Sequence, residues 1–442
     1  MLVRPVEEYK VVQDFLARVC KQVRARAMHP EIREELLGHI EERTELLMLE
    51  GNAEEPAVQE AVKQMGDPGD IGKSLHMAHR PQLDWKLLVL LALLSMIGLF
   101  GALSVDYSGT EVVSDFFVRK AAFFGIGLIL LVGLYFLDYR KLKRCSGVLF
   151  FITLCLMAFT LIRGVDVNGL TIFLDFGPIM IPMLGVASVF LLLIALSGMK
   201  PASQWGLWES VFHILYRGVL PIILYSLSGS MVYLFIYLLG FLVLTWTTKR
   251  NIKQFAVLTL LPFFGLAYIL FTKRLYLMWR LEGLADREGG GGYFMRVIAD
   301  AVSSAGWFGQ GFAAPNPGIP YVYSDSIYPY LIYCFGWLFG IVVGMVVLLF
   351  FARVWSISNV LHDSYGKNIV TGVIVVMGLR LLMPILMGLG VVPVISLDFP
   401  FISYGGVNNM LDFAIVGLLL SIYRRKNMIP RGVGEAAPMK VA

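Results

Sequence analysis

The chain has 442 residues, of which 57% are hydrophobic and only 16% are charged, and its formal net charge is +5. Soluble globular proteins keep about a quarter of their residues charged, so this composition excludes a string of soluble domains. Apolar blocks of about 20 residues, each long enough to cross a bilayer, instead predict an all-α, polytopic membrane protein. The four cysteines lack the spacing of a metal cluster or a disulfide framework. The excess of positive charge lies in short loops, so no nucleic-acid partner is predicted.

Residues 1–80 precede the apolar blocks and predict a small cytoplasmic helical domain. Apolar residues in 29–51 recur at the spacing of one helix face and are interleaved with carboxylates. Residues 54–66 predict a second helix, and the DPGDIG sequence at 67–72 predicts a turn after it. Two roles stay open for this domain: a helical bundle without chemistry, and a docking or regulatory module.

About ten apolar spans follow from residue 85 onward. They lie at about 86–105, 120–137, 146–163, 179–198, 211–227, 230–247, 254–272, 327–351, 369–391 and 405–423. Lys and Arg are concentrated in the turns after spans two and six and directly after span ten. Because such residues stay on the cytoplasmic side, both termini are predicted to be cytoplasmic, and 426–442 forms a cytoplasmic tail. The stretch 272–326, between spans seven and eight, is then extracytoplasmic.

This long stretch, 272–326, is partly polar and is rich in glycine and aromatic residues. Disordered tethers are depleted in aromatic rings, and long loops in compact proteins are usually functional, so the stretch predicts a functional site. Asp325 lies at its end, where the chain becomes apolar again. A carboxylate there can act as a general base. The alternative is a solvated loop carboxylate without chemistry.

Three sequences carry a family resemblance. The turn that opens the last span reads PFISYGG, from Pro400 to Gly406, and the turn after span two reads FLDYRKLKR at 136–144. The long loop contains GGYFMRVIADAVSSAGWFGQGF at 291–312. With these sequences, residues 85–425 resemble the SEDS proteins (shape, elongation, division and sporulation), the RodA, FtsW and SpoVE group. The N-terminal domain lies outside the resemblance.

The resemblance implies a peptidoglycan glycosyltransferase of the bacterial plasma membrane, serving cell shape, division or sporulation. Such a protein polymerises lipid II and works with a class B penicillin-binding protein. Asp325 matches the essential carboxylate late in the family's outer loop. The candidate substrate-binding residues are Tyr293, Arg296, Gly309, Gly311, Ser403, Tyr404, Gly405 and Gly406. A divalent cation, Mg²⁺ or Mn²⁺, is a further implication, although no ligand for it can be named.

In the implied glycosyl transfer, the lipid-linked pyrophosphate is the leaving group, and its negative charge has to be stabilised by positive charge. Three arginines of the long loop are candidates by location: Arg280, Arg287 and Arg296. Asp412 lies inside the last span, where a carboxylate is expected either to have a buried partner or to line a polar pathway. The sequence does not identify the partner. The glycines and polar residues of the PFISYGG turn have a structural alternative. Gly405 and Gly406 allow close packing of the last helix, and the neighbouring side chains hold the turn by hydrogen bonds.

Several polar positions of the family pattern are absent. Span four opens with Ile181, Pro182, Met183 and Leu184, where the family has Gln-Pro-Ser-Glu, and Pro384 falls on an Asn of span nine. Because a fold alone does not carry an activity, three functions stay open. They are a divergent glycosyltransferase, a flippase or transporter of lipid-linked precursor, and a non-catalytic scaffold that recruits a class B penicillin-binding protein.

Overall fold

The computed structural model describes most of the chain. The described residues are 4–109, 115–167, 169–177, 180–198, 207–247, 292–315, 318–393 and 395–428, with seven positions between 263 and 278. Within these ranges the chain divides into two compact units, 4–83 with 422–428, and 84–421. The domain boundaries given by the sequence, near 80, 85 and 425, stay predictions.

The first unit is a bundle of four helices. They are α1 (Lys10–Gln22), α2 (His29–Leu49), α3 (Glu54–Gln64) and α4 (Pro68–Ala78). Their apolar faces meet in one core, where the side chains of Val12, Ile40 and Val58 are fully buried. Residues near the C-terminus belong to the same unit, since Met428 packs against this core.

The turn predicted for residues 67–72 is wrong, because α4 begins there. The Asp67 side chain accepts a hydrogen bond from the Asp70 amide at 3.0 Å, which satisfies one of the donors that a helix leaves unpaired at its start. Pro68 occupies the first turn, where a missing N–H costs nothing. The sequence DPGD therefore starts a helix here, although its Pro and Gly resemble those of a turn.

We expect Asp67→Ala to destabilise the start of α4 by about 1 kcal/mol, because the helix loses its capping acceptor. Hydrogen–deuterium exchange of the full chain should then show faster exchange of the amides of 69–78. Asp70→Ala is the matched control, since the 3.2 Å pair of Asp70 with Lys73 is exposed and contributes little. Equal acceleration in both variants would contradict a capping role for Asp67.

The second unit is built from apolar helices with one small sheet. Its elements are α5 (Trp85–Tyr107), α6 (Phe116–Phe136), α7 (Arg140–Arg144), α8 (Ser146–Arg163), β1 (Val165–Val167), β2 (Leu170–Asp175), β3 (Met180–Ile181), α9 (Ser188–Ser197), α10 (Leu207–His213), α11 (Leu220–Leu227), α12 (Met231–Thr247), α13 (Tyr293–Ser304), α14 (Ile327–Asn359), α15 (Ser364–Gly388) and α16 (Val407–Arg424). Helices α10 and α11 are joined by a wider π-helical stretch, Ile214–Val219.

Six of these helices are long and apolar enough to cross a membrane, and shorter apolar helices lie at Met183–Ser197, Val211–Leu227 and Met231–Thr247. Within the described residues, helices therefore occupy nine of the ten predicted spans, and the all-α polytopic class is confirmed. The remaining span, predicted at 254–272, lies almost entirely outside the described residues.

The sequence analysis did not predict the three-stranded antiparallel sheet formed by β1, β2 and β3. Leu174 of β2 pairs with Ile181 of β3. Because β3 takes the first residues of the fourth apolar stretch, helical structure starts only after Pro182 and not at 179. Pro182 has no N–H to donate and suits this change from strand to helix.

One end of the second unit holds Asp325, and we call it the Asp325 end. Tyr330, near the start of α14, donates its hydroxyl to the Ser104 carbonyl oxygen, near the end of α5, at 3.2 Å. At the opposite end, Arg353 of α14 pairs with Asp84 at 2.8 Å. The two contacts fix α5 and α14 against each other along their length.

Helix α14 is broken at Gly336, which has φ +83°. The loop segment 306–311 lies against the break and replaces part of the helical hydrogen bonding. The Trp337 amide donates to the Gly306 carbonyl oxygen at 3.0 Å, and the Gly311 amide donates to that of Cys334 at 2.9 Å. A Cβ at Gly336 would lie 2.2 Å from the Trp307 carbonyl oxygen, so only glycine permits this approach.

Candidate functional site

Asp325 lies two residues before α14 begins and is half-buried. Ser396 Oγ donates a hydrogen bond to Asp325 Oδ2 at 3.0 Å. Ser396 is exposed and belongs to the segment 389–406, which connects α15 to α16. A hydroxyl at this distance orients the carboxylate, and a general base has to be oriented toward the proton that it takes.

The PFISYGG turn packs beside the residues that lead to Asp325. The Tyr404 amide donates to the Tyr323 carbonyl oxygen at 2.9 Å. Within the turn, Ser403 Oγ donates to the Phe399 carbonyl oxygen at 3.0 Å, and Ser403 is buried. The hydrogen bond of Ser403 supports its structural role within the turn. Tyr404 instead connects the turn directly to the loop that carries Asp325.

A buried lysine of another helix, which the sequence analysis missed, donates hydrogen bonds to this turn. Lys120 of α6 is only 2% exposed. Its ammonium donates to the Gly98 carbonyl oxygen at 2.8 Å and to the Ile402 carbonyl oxygen. A lysine within an apolar span was a usable signal, since charged groups at membrane depth are costly and mark functional or structural contacts.

The partner of Asp412 is Arg380, which confirms that this aspartate has a buried partner. Arg380 of α15 is fully buried and donates to both carboxylate oxygens of Asp412. It also donates to Asp398 Oδ2 at 2.6 Å. We call these three side chains the Arg380 bridge. Neither Arg380 nor Asp398 was named from the sequence, although an arginine inside a span carries the same signal as Lys120.

The Arg380 bridge and Asp325 belong to one charged region. The segment between α15 and α16 links them, because Ser396 donates to Asp325 and Asp398, two residues further on, accepts from Arg380. Gly405, with φ +51°, approaches the same bridge, since a Cβ on it would lie 3.4 Å from Asp398 Oδ2. The candidate site therefore includes buried charges as well as the half-buried carboxylate.

The remaining predicted residues lie in three places. Tyr293 lies at the start of α13. The guanidinium carbon of Arg296 lies 5.8 Å from the centroid of its ring. Ring contacts with centroids 5.0–6.4 Å apart connect Tyr293 to Tyr404 through Phe294, Tyr321, Tyr323 and Phe116. Gly309 and Gly311 lie instead against the break in α14. Gly406, with φ +45°, directly precedes α16.

The described residues offer no ready cage for a divalent cation. Within the described ranges, no group of three or more His, Cys, Asp or Glu side chains lies close enough to hold one. The Asp325 carboxylate is engaged by the Ser396 hydroxyl. We therefore derive no step through a metal ion, and the expected Mg²⁺ or Mn²⁺ stays a prediction. Arg280 and Arg287 lie outside the described residues.

Most of the chain matches a known family. The family model of the FtsW, RodA and SpoVE proteins, described as "Cell cycle protein", matches residues 82–428. The chain belongs to this SEDS family. As a SEDS protein with several apolar helices, it is a multi-pass membrane protein.

Two distant SEDS relatives match most of the chain. A protein of Alkalilimnicola ehrlichii named "Probable peptidoglycan glycosyltransferase FtsW" is 25% identical over 382 residues, 80% of this chain and 92% of the relative. Stage V sporulation protein E of Bacillus subtilis is 25% identical over 366 residues, 77% of this chain and 97% of the relative. A solved structure described as "Structural coordination of polymerization and crosslinking by a peptidoglycan synthase complex" has a TM-score of 0.61 at 22% identity. It covers 78% of this chain and 98% of the solved chain, and shows a shared fold.

Proposed function

We propose that this SEDS protein is a peptidoglycan glycosyltransferase that polymerises lipid II in the bacterial plasma membrane. The observation that carries the proposal is the Asp325 carboxylate, half-buried at one end of the helical bundle and oriented by Ser396. The relatives named as peptidoglycan glycosyltransferases add support. In this proposal the Asp325 end is extracytoplasmic and both termini are cytoplasmic.

Asp325 acts as the general base of the transfer. It takes the proton from the acceptor hydroxyl of one lipid-linked disaccharide while that oxygen bonds to the anomeric carbon of the growing strand. The bond between the anomeric carbon and the pyrophosphate oxygen breaks, and the lipid pyrophosphate leaves. General acid–base catalysis typically contributes about 10²–10⁴-fold to such a step. The hydrogen bond from Ser396 keeps the carboxylate in position.

The leaving pyrophosphate requires compensating positive charge. Arg380 does not supply it, because its guanidinium is already paired with the carboxylates of Asp398 and Asp412. Arg296 is the described candidate, since it lies on α13 beside Tyr293 and is only half-buried. A planar guanidinium binds phosphate oxygens in a bidentate manner, which suits this role.

We further propose a class B penicillin-binding protein as the partner that crosslinks the new strand. The support is the similarity of the fold to a chain from a complex described as coordinating polymerisation and crosslinking. Copurification with the candidate partner from membranes tests this part of the proposal separately from catalysis. Failure to copurify in a detergent that preserves polymerisation would count against the partner.

The decisive experiment supplies purified full-length protein with fluorescent lipid II and separates the products by length. Strand synthesis by the wild-type protein that is lost in Asp325→Ala supports the proposal. Movement of lipid II across vesicle membranes that survives this substitution would instead indicate a transporter. Neither activity, with retained binding of a penicillin-binding protein, would leave a scaffold.

A further inference from the structure

We infer that the Arg380 bridge positions the Asp325 carboxylate, with Asp398 and Ser396 as the connecting residues. The inference rests on the proposed function and assigns a role to three charged side chains outside the predicted site. Arg380, Asp398 and Asp412 are positioning residues here, because they act through Ser396 and not on the substrate.

The first step is the geometry of the bridge. Arg380 lies on α15, Asp412 on α16 and Asp398 in the segment that connects them. The guanidinium donates from two nitrogens, one to Asp398 and both to Asp412. Charged, forked hydrogen bonds of this kind impose direction as well as attraction. The connecting segment is therefore fixed to two helices at Asp398.

The second step leads from the bridge to the carboxylate. Ser396 precedes Asp398 by two residues, and both lie in a stretch without regular secondary structure. Such a stretch has no backbone ladder to hold its course, so the pairing of Asp398 determines where Ser396 lies. Ser396 Oγ in turn donates to Asp325 Oδ2 at 3.0 Å. Arg380 thus reaches Asp325 through one short segment and one hydroxyl.

The third step is that stability alone does not account for the bridge. Replacing a buried ion pair by apolar residues of similar volume is often neutral or stabilising. The bridge also leaves Asp398 Oδ1 and Arg380 Nε buried without a hydrogen-bond partner among the described residues, which is costly. An arrangement that costs stability and fixes a segment beside the proposed base indicates a role in positioning.

The test measures kcat and KM for lipid II polymerisation by full-length Ser396→Ala, Asp398→Asn and the double variant. We expect kcat to fall about tenfold or more in each single variant, since small misplacement of a catalytic group can cost up to about 100-fold. KM should stay close to that of the wild type. The kcat of the double variant should equal that of Asp398→Asn, because both substitutions interrupt the same connection between Arg380 and Asp325. Ser396 is exposed, so Ser396→Ala carries little risk to folding.

Asp84→Asn is the matched structural control, because it breaks a buried pair with Arg353 at the opposite end of the unit. It should lower the thermal unfolding midpoint and leave kcat unchanged. The inference is wrong if Asp398→Asn also lowers the unfolding midpoint and leaves kcat unchanged. It is equally wrong if the loss of kcat in the double variant equals the product of the losses in Ser396→Ala and Asp398→Asn.

Hydrogen–deuterium exchange separates failure of this inference from failure of the proposed function. In Asp398→Asn, the amides of 321–327 should exchange faster than in the wild type, whereas Asp84→Asn should leave them unchanged. A wild-type protein that makes no strands would refute the proposed function, and exchange at 321–327 would still decide the role of the bridge. Unchanged exchange there would overturn it.

Discussion

Asp325→Asn is expected to lower the rate of glycan strand synthesis by about 10²–10⁴-fold, the range that general acid–base catalysis contributes. Asparagine has nearly the size of aspartate and still presents an oxygen to the Ser396 hydroxyl, which donates to the carboxylate in the wild type at 3.0 Å. The amide cannot take up the proton of the acceptor hydroxyl. The measurement is the initial rate at which fluorescent lipid II enters polymer, at saturating substrate, so that the loss is seen in kcat.

Asp300→Asn is the control for this prediction. Asp300 is an exposed carboxylate on α13, in the same long segment of the chain, and its replacement should leave the rate unchanged. The thermal unfolding midpoints of both variants should match that of the wild type, since neither carboxylate is fully buried. An Asp325→Asn protein that keeps more than about a tenth of the wild-type rate would refute the assignment of Asp325 as the base.

Arg380→Met is expected to destabilise the protein by about 3–5 kcal/mol, the usual effect of removing one partner of a buried ion pair. Asp412 is 1% exposed and Asp398 is 11% exposed in their side chains, so both carboxylates would lose their cation without gaining water. Thermal unfolding in detergent should show a drop of several degrees in the midpoint. Because unfolding of membrane proteins is often irreversible, scan rate has to be held constant.

The triple variant Arg380→Met, Asp398→Asn and Asp412→Asn provides the internal control. It removes all three charges together, so no buried carboxylate is left uncompensated, and most of the lost stability should return. Restored stability without restored polymerisation is the expected combination. A triple variant as unstable as Arg380→Met would show that packing of the arginine stem, and not the charge, accounts for the loss.

Much of the membrane fold follows from local sequence. Long apolar runs such as Trp85–Tyr107 and Ile327–Asn359 fix the spans, because a helix is the one way for a single segment to satisfy its backbone in lipid. The small sheet at 165–181 was missed because its strands are two to six residues long. The helix at Pro68 was missed because a capping aspartate before Pro and Gly resembles a turn.

The site was predictable only in part. Asp325 was named because a family pattern and a change in polarity meet there, but its contact with Ser396 joins residues 71 positions apart. Asp412 was flagged by its depth in a span, whereas its partner Arg380 lies 32 residues away in another helix. Local periodicity carries no information on such pairings. A systematic count of ionisable residues within spans would have added Lys120 and Arg380.

The break at Gly336 ties the loop segment 306–311 to α14. Its freed backbone groups are taken up by 306–311, and pulling that loop away would leave them bare in a region where lipid offers no replacement. The segment 306–311 and α14 are therefore expected to move together, because neither satisfies its backbone at the break without the other.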